Sequence, residues 1–158
     1  MLFVKCDLGW SRPKTYPSGS TVYAILLEID NDDYRLVKIG ATKDLFARLA
    51  KYNRAFLIEP RLRFSSHPVS SEFRDSMEDL LKEYPERSND VDWMEYRIER
   101  VLLNEYEKRH EGRLPPANLK RGSEREYLGR VKITETGKFR VLDLEPAVLP
   151  QEILAKLK

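Results

Sequence analysis

The chain has 158 residues, of which 41% are hydrophobic and 34% are charged, and its formal net charge is +2. This length suits one domain with a small core, and the near-neutral balance excludes a protein that binds nucleic acid through a global basic field. Cys6 is the only cysteine, which excludes an internal disulfide and a structural zinc site made of cysteines. Without a signal-peptide pattern or an apolar run of about 18 residues, the chain is expected to be cytoplasmic and to have no membrane partner.

The first predicted strands follow an N-terminal arm, residues 1–20, whose second half is rich in Ser, Pro and Gly. The segments TVYAILLEI at 21–29 and YRLVKIG at 34–40 are rich in apolar, β-branched and aromatic residues, which predicts two strands. The residues DNDD between them are typical of a turn, because Asn and Asp bond to their own backbone there. Together the two segments predict a β-hairpin.

A helix and a third strand are predicted next. After the glycine that ends the second strand, apolar residues recur at helical spacing, and Thr42 or Asp44 can cap the start of this helix. The segment FLIEPRLRFSS at 56–66 predicts a third strand, in which Pro60 marks an edge or a bulge.

The rest of the chain predicts two longer helices and a small terminal unit. Residues 71–84 and 92–110 have the spacing of amphipathic helices, and the second is the stronger signal. Alternation over 129–144, interrupted by TETG, predicts a C-terminal β-hairpin, and 150–158 predicts a short helix. The element order indicates an α+β fold with a small antiparallel sheet flanked by helices.

Four residues around the first hairpin point to chemistry. Gly40 at a strand end allows a tight turn or the close approach of a substrate. Arg48 and Tyr52 are four residues apart on the predicted helix, so they share a face directed at the hairpin that carries Tyr23. This set suits a phosphodiester, since a guanidinium stabilises charge on phosphoryl oxygens and a phenol positions or deprotonates a water.

These motifs resemble the GIY-YIG nuclease family. TVY at 21–23 resembles its first motif, and VKIGAT at 37–42 resembles its second motif. DLFARLAKY at 44–52 resembles the helix that follows, with Arg48 eight residues after Gly40 as in the family.

The resemblance covers residues 21 to about 106. Within the family, the sequence is similar to the phage-associated branch, which often has a lysine at the position of Lys38. It implies a nuclease domain at 21–128 with a helical insertion at about 70–92, followed by the hairpin and short helix of 129–158. A phage, mobile-element or restriction-like setting is implied by the same analogy.

The activity implied by the resemblance is that of a metal-dependent DNA endonuclease. Tyr23 would position or activate the water, and Arg48 would bind the scissile phosphate. Lys38 and Tyr52 would support charge and orientation at the same site.

A metal-binding glutamate is implied on the helix over 92–110, where Glu95 and Glu99 are both candidates. Glu99 is preferred, because Leu102 and Tyr106 follow it at the spacing of the phage-associated branch. Its expected role is to hold Mg²⁺ (or Mn²⁺) against a phosphate oxygen.

DNA contacts are expected from local clusters of basic residues near aromatic ones. The candidates are Arg54, Arg61, Arg63, Lys120 and Arg121. The counterpart of the family's late asparagine is left open between Asn104 and Asn118. One site per chain cuts one strand, so double-strand cleavage would require a homodimer or two encounters.

Two alternatives belong to other functional classes. A catalytically inactive nucleic-acid-binding module of the same fold would bind DNA without nicking it. A protein-interaction adaptor would use the charged helices over 72–84 and 92–110 as docking faces.

Overall fold

The computed structural model describes residues 21–31, 33–42, 44–68, 82, 93–118 and 141–158. The predicted N-terminal arm, the helix over 71–84 (apart from Lys82) and most of the C-terminal hairpin lie outside these residues. In chain order the elements are β1 Thr21–Asp30, β2 Asp33–Thr42, α1 Leu45–Lys51, α2 Asn53–Ile58, β3 Leu62–Pro68, α3 Trp93–Arg109, a 3₁₀ turn Val141–Asp143, and α4 Gln151–Leu157.

The three strands form an antiparallel sheet in the order β2-β1-β3. Strand β1 is central, so its side chains are covered on both faces, and Ile25 and Leu26 are fully buried. The predicted hairpin of β1 and β2 is confirmed, and the described residues form an α+β fold with a small antiparallel sheet, as predicted.

The strand register places the site residues on one face of the sheet. Tyr23 lies opposite Gly40 on β2 and opposite Ser66 on β3, and Ile25 lies opposite Lys38. Residues directly opposite each other in antiparallel strands project to the same face. That face packs into the cluster formed by β1, β3, α1, α2 and α4, whose buried members include Leu45, Ala55, Phe56, Leu62, Phe64, Ile153, Leu154 and Leu157.

Helix α1 begins where its cap predicts. Of the two predicted cap residues, Asp44 is the N-cap, and its Oδ1 accepts a hydrogen bond from the Ala47 N–H at 3.0 Å. Tyr52 separates α1 from α2, while its N–H still bonds back to the Arg48 carbonyl at 3.3 Å. The predicted face of Arg48 and Tyr52 is therefore kept through the helix break.

The prediction of a strand over 56–66 is wrong in its first half. Residues 56–58 belong to α2, and β3 begins only at Leu62. Phe56 and Ala55 are buried while Leu57 is exposed, which is the one-sided burial of a helix. Pro60 lies in the turn between the two elements, where it cannot extend either one.

Helix α3 confirms the helix predicted over 92–110 and ends in a specific turn. Glu111 has a positive φ of 55°, and the Gly112 N–H donates to the Glu107 carbonyl at 2.9 Å. This bond pattern satisfies a carbonyl that the helix end would leave without a partner. No helix in the described part of the chain is long and apolar enough to cross a membrane.

The C-terminal residues dock on the last turn of α3. The Tyr106 hydroxyl donates to the Leu144 carbonyl at 2.7 Å, and His110 Nε2 lies 2.6 Å from the Leu142 carbonyl. Residues 141–143, predicted as part of a hairpin strand, form a 3₁₀ turn instead. The carbonyls of Leu142, in the turn, and of Leu144, just after it, thus contact Tyr106 of α3 and His110, which directly follows α3.

The outer edge of β2 is covered by two later segments. The Leu36 N–H donates to the Glu145 carbonyl at 2.8 Å, and the Leu36 carbonyl accepts from the Ala147 N–H at 2.8 Å. Further along the strand, the Val37 carbonyl accepts from the Ala117 N–H at 2.9 Å. These bonds protect an otherwise open strand edge and bring the C-terminal residues beside the site.

Candidate active site

Two tyrosines form the centre of the candidate site. The Tyr23 and Tyr52 hydroxyl oxygens lie 2.9 Å apart, and the two residues are 2% and 0% exposed. The Tyr23 ring also stacks on Phe64, with ring centroids 5.5 Å apart and planes at 19°. The two phenols are thus held from β1, β3 and the break between α1 and α2.

Gly40 makes room for the Tyr23 ring. A Cβ atom built on Gly40 would lie 2.3 Å from both Tyr23 Cζ and Tyr23 Oη, closer than atoms can approach. The sequence left two explanations for this glycine, a tight turn or the approach of a substrate. In the structure a side chain of the neighbouring strand approaches it, within a regular region of pairing.

Lys38 lies beside Tyr52 and is only 8% exposed. Its ammonium donates a hydrogen bond to the Leu157 carbonyl at 2.5 Å and lies 5.1 Å from the centre of the Tyr52 ring. Both contacts favour a cation, because the carbonyl oxygen and the face of the ring are negative.

Arg48 extends from α1 toward the phenols and is half-buried. Burial raises the pKa of Tyr23 and of Glu99, and the positive charge of Arg48 partly opposes this rise and also favours the ionised form of Tyr52. Among the described residues, its guanidinium makes no hydrogen bond and no ion pair. Its donors are therefore available to an anion at this site.

Glu99 reaches the same site from α3. Burial raises the pKa of this carboxyl, and the charges of Lys38, Arg48 and Arg100 act in the opposite direction. The carboxylate makes no hydrogen bond or ion pair within the described residues. Glu99 thus interacts electrostatically with Tyr23, Lys38 and Arg48, and Tyr52 interacts with the same three residues. The side chain of Glu95 is not among those that the structure describes, so the preference for Glu99 still rests on the sequence pattern.

The charge balance of the site suits an anion. Among the described residues, the charges of Lys38, Arg48 and Arg100 act on the carboxylate of Glu99. Three described cations thus act on one described carboxylate, although the whole chain carries a formal net charge of only +2. A local group of cations of this kind suits an anionic ligand.

The described residues suit a metal ion only if a bound phosphate supplies part of its coordination shell. Within the described residues, no group of three or more His, Cys, Asp or Glu side chains could hold a metal ion. Mg²⁺ is commonly held by one or two carboxylates, with waters and substrate phosphates completing its shell. Glu99 alone therefore fits Mg²⁺ if a phosphate supplies further oxygens.

The two phenols are expected to ionise in a fixed order. Burial raises the pKa of Tyr23, and the neighbouring Tyr52 raises it further. Burial also opposes ionisation of Tyr52, but the hydrogen bond from Tyr23 and the charges of Lys38 and Arg48 lower the pKa of Tyr52 below its usual value. We expect ultraviolet titration to show a phenol that ionises below pH 10, which Tyr52→Phe removes and Lys38→Met moves to higher pH.

The control for this titration is Tyr34→Phe, which removes a buried phenol elsewhere on β2. It should leave the early ionisation unchanged. An early ionisation that persists in Tyr52→Phe and disappears in Tyr23→Phe would reverse the assignment.

Replacing Glu99 with glutamine should stabilise the fold at neutral pH. The folded pKa of Glu99 lies above its unfolded value because of burial, so ionisation of Glu99 costs stability as the pH rises through the folded pKa. Below the unfolded pKa both states are protonated and the cost disappears. We therefore expect Glu99→Gln to raise the melting temperature by about 1–3 °C at pH 7 and by nothing at pH 4, measured by thermal unfolding.

Glu105→Gln is the matched control on the same helix. It removes an exposed carboxylate that pairs with Arg109, so it should not stabilise the protein. A lower melting temperature for Glu99→Gln at pH 7 would show that attraction to the surrounding cations outweighs the cost of burial.

Two predicted DNA-contact arginines, Arg61 just before β3 and Arg63 within it, are already paired within the chain. Arg61 Nε lies 2.9 Å from Glu59 Oε1, and Arg63 Nε lies 2.9 Å from Glu28 Oε2. Arg63 lies opposite Leu26, three residues along β1 from Tyr23. Of the other candidates, Arg54 is exposed on α2, and Lys120 and Arg121 lie outside the described residues.

Two contacts of the site were missed at the sequence level. The Asn118 amide bonds twice to β2, since its Oδ1 accepts from the Ile39 N–H at 3.0 Å and its Nδ2 donates to the Ile39 carbonyl at 2.9 Å. The Leu157 carbonyl that holds Lys38 is 119 residues away along the chain. No pattern in the neighbouring sequence predicts either contact, because each joins residues that are far apart in the chain. Of the two asparagines left open, Asn118 fixes the strand beside the site, and the buried Nδ2 of Asn104 has no hydrogen-bond partner in the described structure.

No protein-family model matches the chain, and no curated protein or solved structure matches it either. The described residues of the site are therefore the basis for a proposal of function: two bonded phenols, a guanidinium with no hydrogen bond to a described residue, and the half-buried carboxylate of Glu99.

Proposed function

We propose that the chain is a metal-dependent DNA endonuclease of GIY-YIG type that hydrolyses phosphodiester bonds. The observation that carries this proposal is the convergence of Arg48 and Glu99, neither hydrogen-bonded to a described residue, on the bonded phenols of Tyr23 and Tyr52. Structural ion pairs would satisfy a buried arginine and glutamate. Here both keep their functional groups available beside a proton-transfer pair.

Arg48 has the role of binding the scissile phosphate. A guanidinium presents two parallel donors that match two phosphoryl oxygens, and its charge opposes the negative charge that develops as the water attacks. Its half-buried position strengthens this interaction relative to one in bulk water.

The phenol pair has the role of accepting the proton of the attacking water. Tyr23 contacts the water and takes its proton while passing its own proton across the 2.9 Å bond to the Tyr52 oxygen. Lys38 and Arg48 stabilise the negative charge of Tyr52 before that transfer. Tyr23 alone, with a raised pKa, would hold too little phenolate near neutral pH.

Glu99 would hold Mg²⁺ or Mn²⁺ at this site. The bound ion supplies positive charge that stabilises the oxygens of the transferring phosphate.

DNA is the proposed partner. A homodimer is the proposed form for cutting both strands. The proposed setting is the cytoplasm, in a phage- or mobile-element-associated system.

Plasmid nicking tests the proposal. Wild-type protein should convert supercoiled plasmid to open circles with Mg²⁺ or Mn²⁺ and should lose this activity with a chelator. Glu99→Gln should reduce nicking at least about 100-fold while remaining folded. DNA binding without nicks under all metal conditions would support the inactive binding module, and the absence of salt-dependent DNA binding would support the adaptor.

A further inference from the structure

The carboxyl end of α4 holds the buried lysine of the site. Lys38 Nζ donates to the Leu157 carbonyl, and this bond is itself buried. A buried ammonium is costly unless hydrogen bonds replace its water. The carbonyls of the last helical turn lack partners within their own helix and carry its negative dipole end, so they suit a cation.

Helix α4 is fixed firmly enough to act as an anchor. Ile153, Leu154 and Leu157 are buried in the same core cluster as Tyr52 and Phe56. At the start of the helix, the Pro150 carbonyl accepts from the N–H groups of residues 153 and 154. The Leu157 carbonyl is therefore positioned by packing along the whole of α4.

The position of Lys38 is set by this anchor on one side and by Tyr52 on the other. The ammonium lies 5.1 Å from the centre of the Tyr52 ring, and Tyr52 in turn bonds to Tyr23. Arg48 differs, because no hydrogen bond within the described residues holds its guanidinium. Lys38 and Arg48 are thus prepared for different tasks.

We propose that Lys38 is a positioning residue, held over Tyr52 by the carboxyl end of α4, and that it does not itself bind the phosphate. The effect on catalysis rests on the proposed function, whereas the anchor stands on the contacts alone. Substrate binding then depends on Arg48, and the phenol pair depends on a helix more than one hundred residues away from it along the chain.

A matched pair of substitutions at the exposed Lys158 isolates the carbonyl without changing Lys38. Proline at position 158 disfavours the helical conformation of the preceding residue and so turns the Leu157 carbonyl away. Lys158→Ala leaves the backbone unrestricted and serves as the control. Lys38→Met assigns the signal of the Lys38 ammonium in ¹⁵N-labelled protein.

The first readout is the slowly exchanging ammonium signal in nuclear magnetic resonance spectra. We expect it in wild type and in Lys158→Ala, and we expect its loss in Lys158→Pro and Lys38→Met. Retention of the signal in Lys158→Pro would overturn the anchor. This readout does not require any nuclease activity, so a wild-type protein that fails to nick DNA would refute the proposed function and leave the anchor to be decided by the spectra.

The second readout separates positioning from phosphate binding. With nicking activity in hand, Lys158→Pro and Lys38→Met should each lower kcat about tenfold or more and leave KM for DNA within about twofold of wild type. Lys158→Ala should match wild type. A rise in KM with unchanged kcat in Lys38→Met would show that Lys38 binds the phosphate directly and would overturn its positioning role.

Discussion

Replacing Arg48 with alanine should lower the nicking rate by about 10²–10³-fold, the usual cost of removing one group that stabilises charge in the transition state. The fold should survive, because the Arg48 guanidinium has no hydrogen bond or ion pair within the described residues. Initial rates of plasmid nicking measure the effect, and thermal unfolding checks the fold.

Arg48→Lys separates charge from geometry. A lysine keeps the positive charge but loses the two parallel donors, so its nicking rate should fall between wild type and alanine. Arg35→Ala is the control, since Arg35 pairs with Asp33 beside the hairpin turn, at the opposite end of β2 from Gly40. Equal rates for Arg48→Ala and Arg35→Ala would remove Arg48 from the site and leave the proposed endonuclease without a phosphate ligand.

Local sequence signals were sufficient for the framework of the site. Two runs rich in apolar, β-branched and aromatic residues and the turn residues at 30–33 predicted the hairpin, and the 3.6-residue period predicted α1 and α3. The spacing of Arg48 and Tyr52 placed both on one face, and the structure retains that face through the break at Tyr52. These features depend on neighbours in the chain, which is why the sequence could predict them.

The errors and omissions have a common physical cause. The apolar run at 56–58 fits a strand or a helix equally well, and packing of Phe56 into the core decides for the helix. The bonds from Lys38 to Leu157 and from Asn118 to Ile39 join residues far apart in the chain. Only the tertiary fold determines such contacts, so a sequence pattern contains no direct signal for them.

Gly40 combines a feature that the local sequence predicts with a contact that only the tertiary fold determines. Its position at the end of a motif marked it as special, but the atom that excludes a side chain there belongs to Tyr23 on the neighbouring strand. We expect Gly40→Ala to lower the free energy of unfolding by about 2–4 kcal/mol. The added Cβ overpacks a buried region, and displacement of the Tyr23 ring breaks its bond to Tyr52. Urea unfolding measures this change, and nicking should fall with it because the phenol pair is disrupted.

A double-mutant cycle tests whether Tyr23 is the reason for the glycine. Tyr23→Leu removes the three atoms that a Cβ at Gly40 would meet, namely the ring carbons Cε1 and Cζ and the hydroxyl oxygen Oη. In that background Gly40→Ala should cost less than about 1 kcal/mol, so the two substitutions should couple by about 1 kcal/mol or more.

Gly112→Ala is the control, since Gly112 has a φ of +86° and no atom lies near the position of an added Cβ. It should cost about 1 kcal/mol from backbone strain in both backgrounds. An equal cost of Gly40→Ala with and without the Tyr23 ring would mean that the backbone of β2, and not the phenol of the site, requires the glycine.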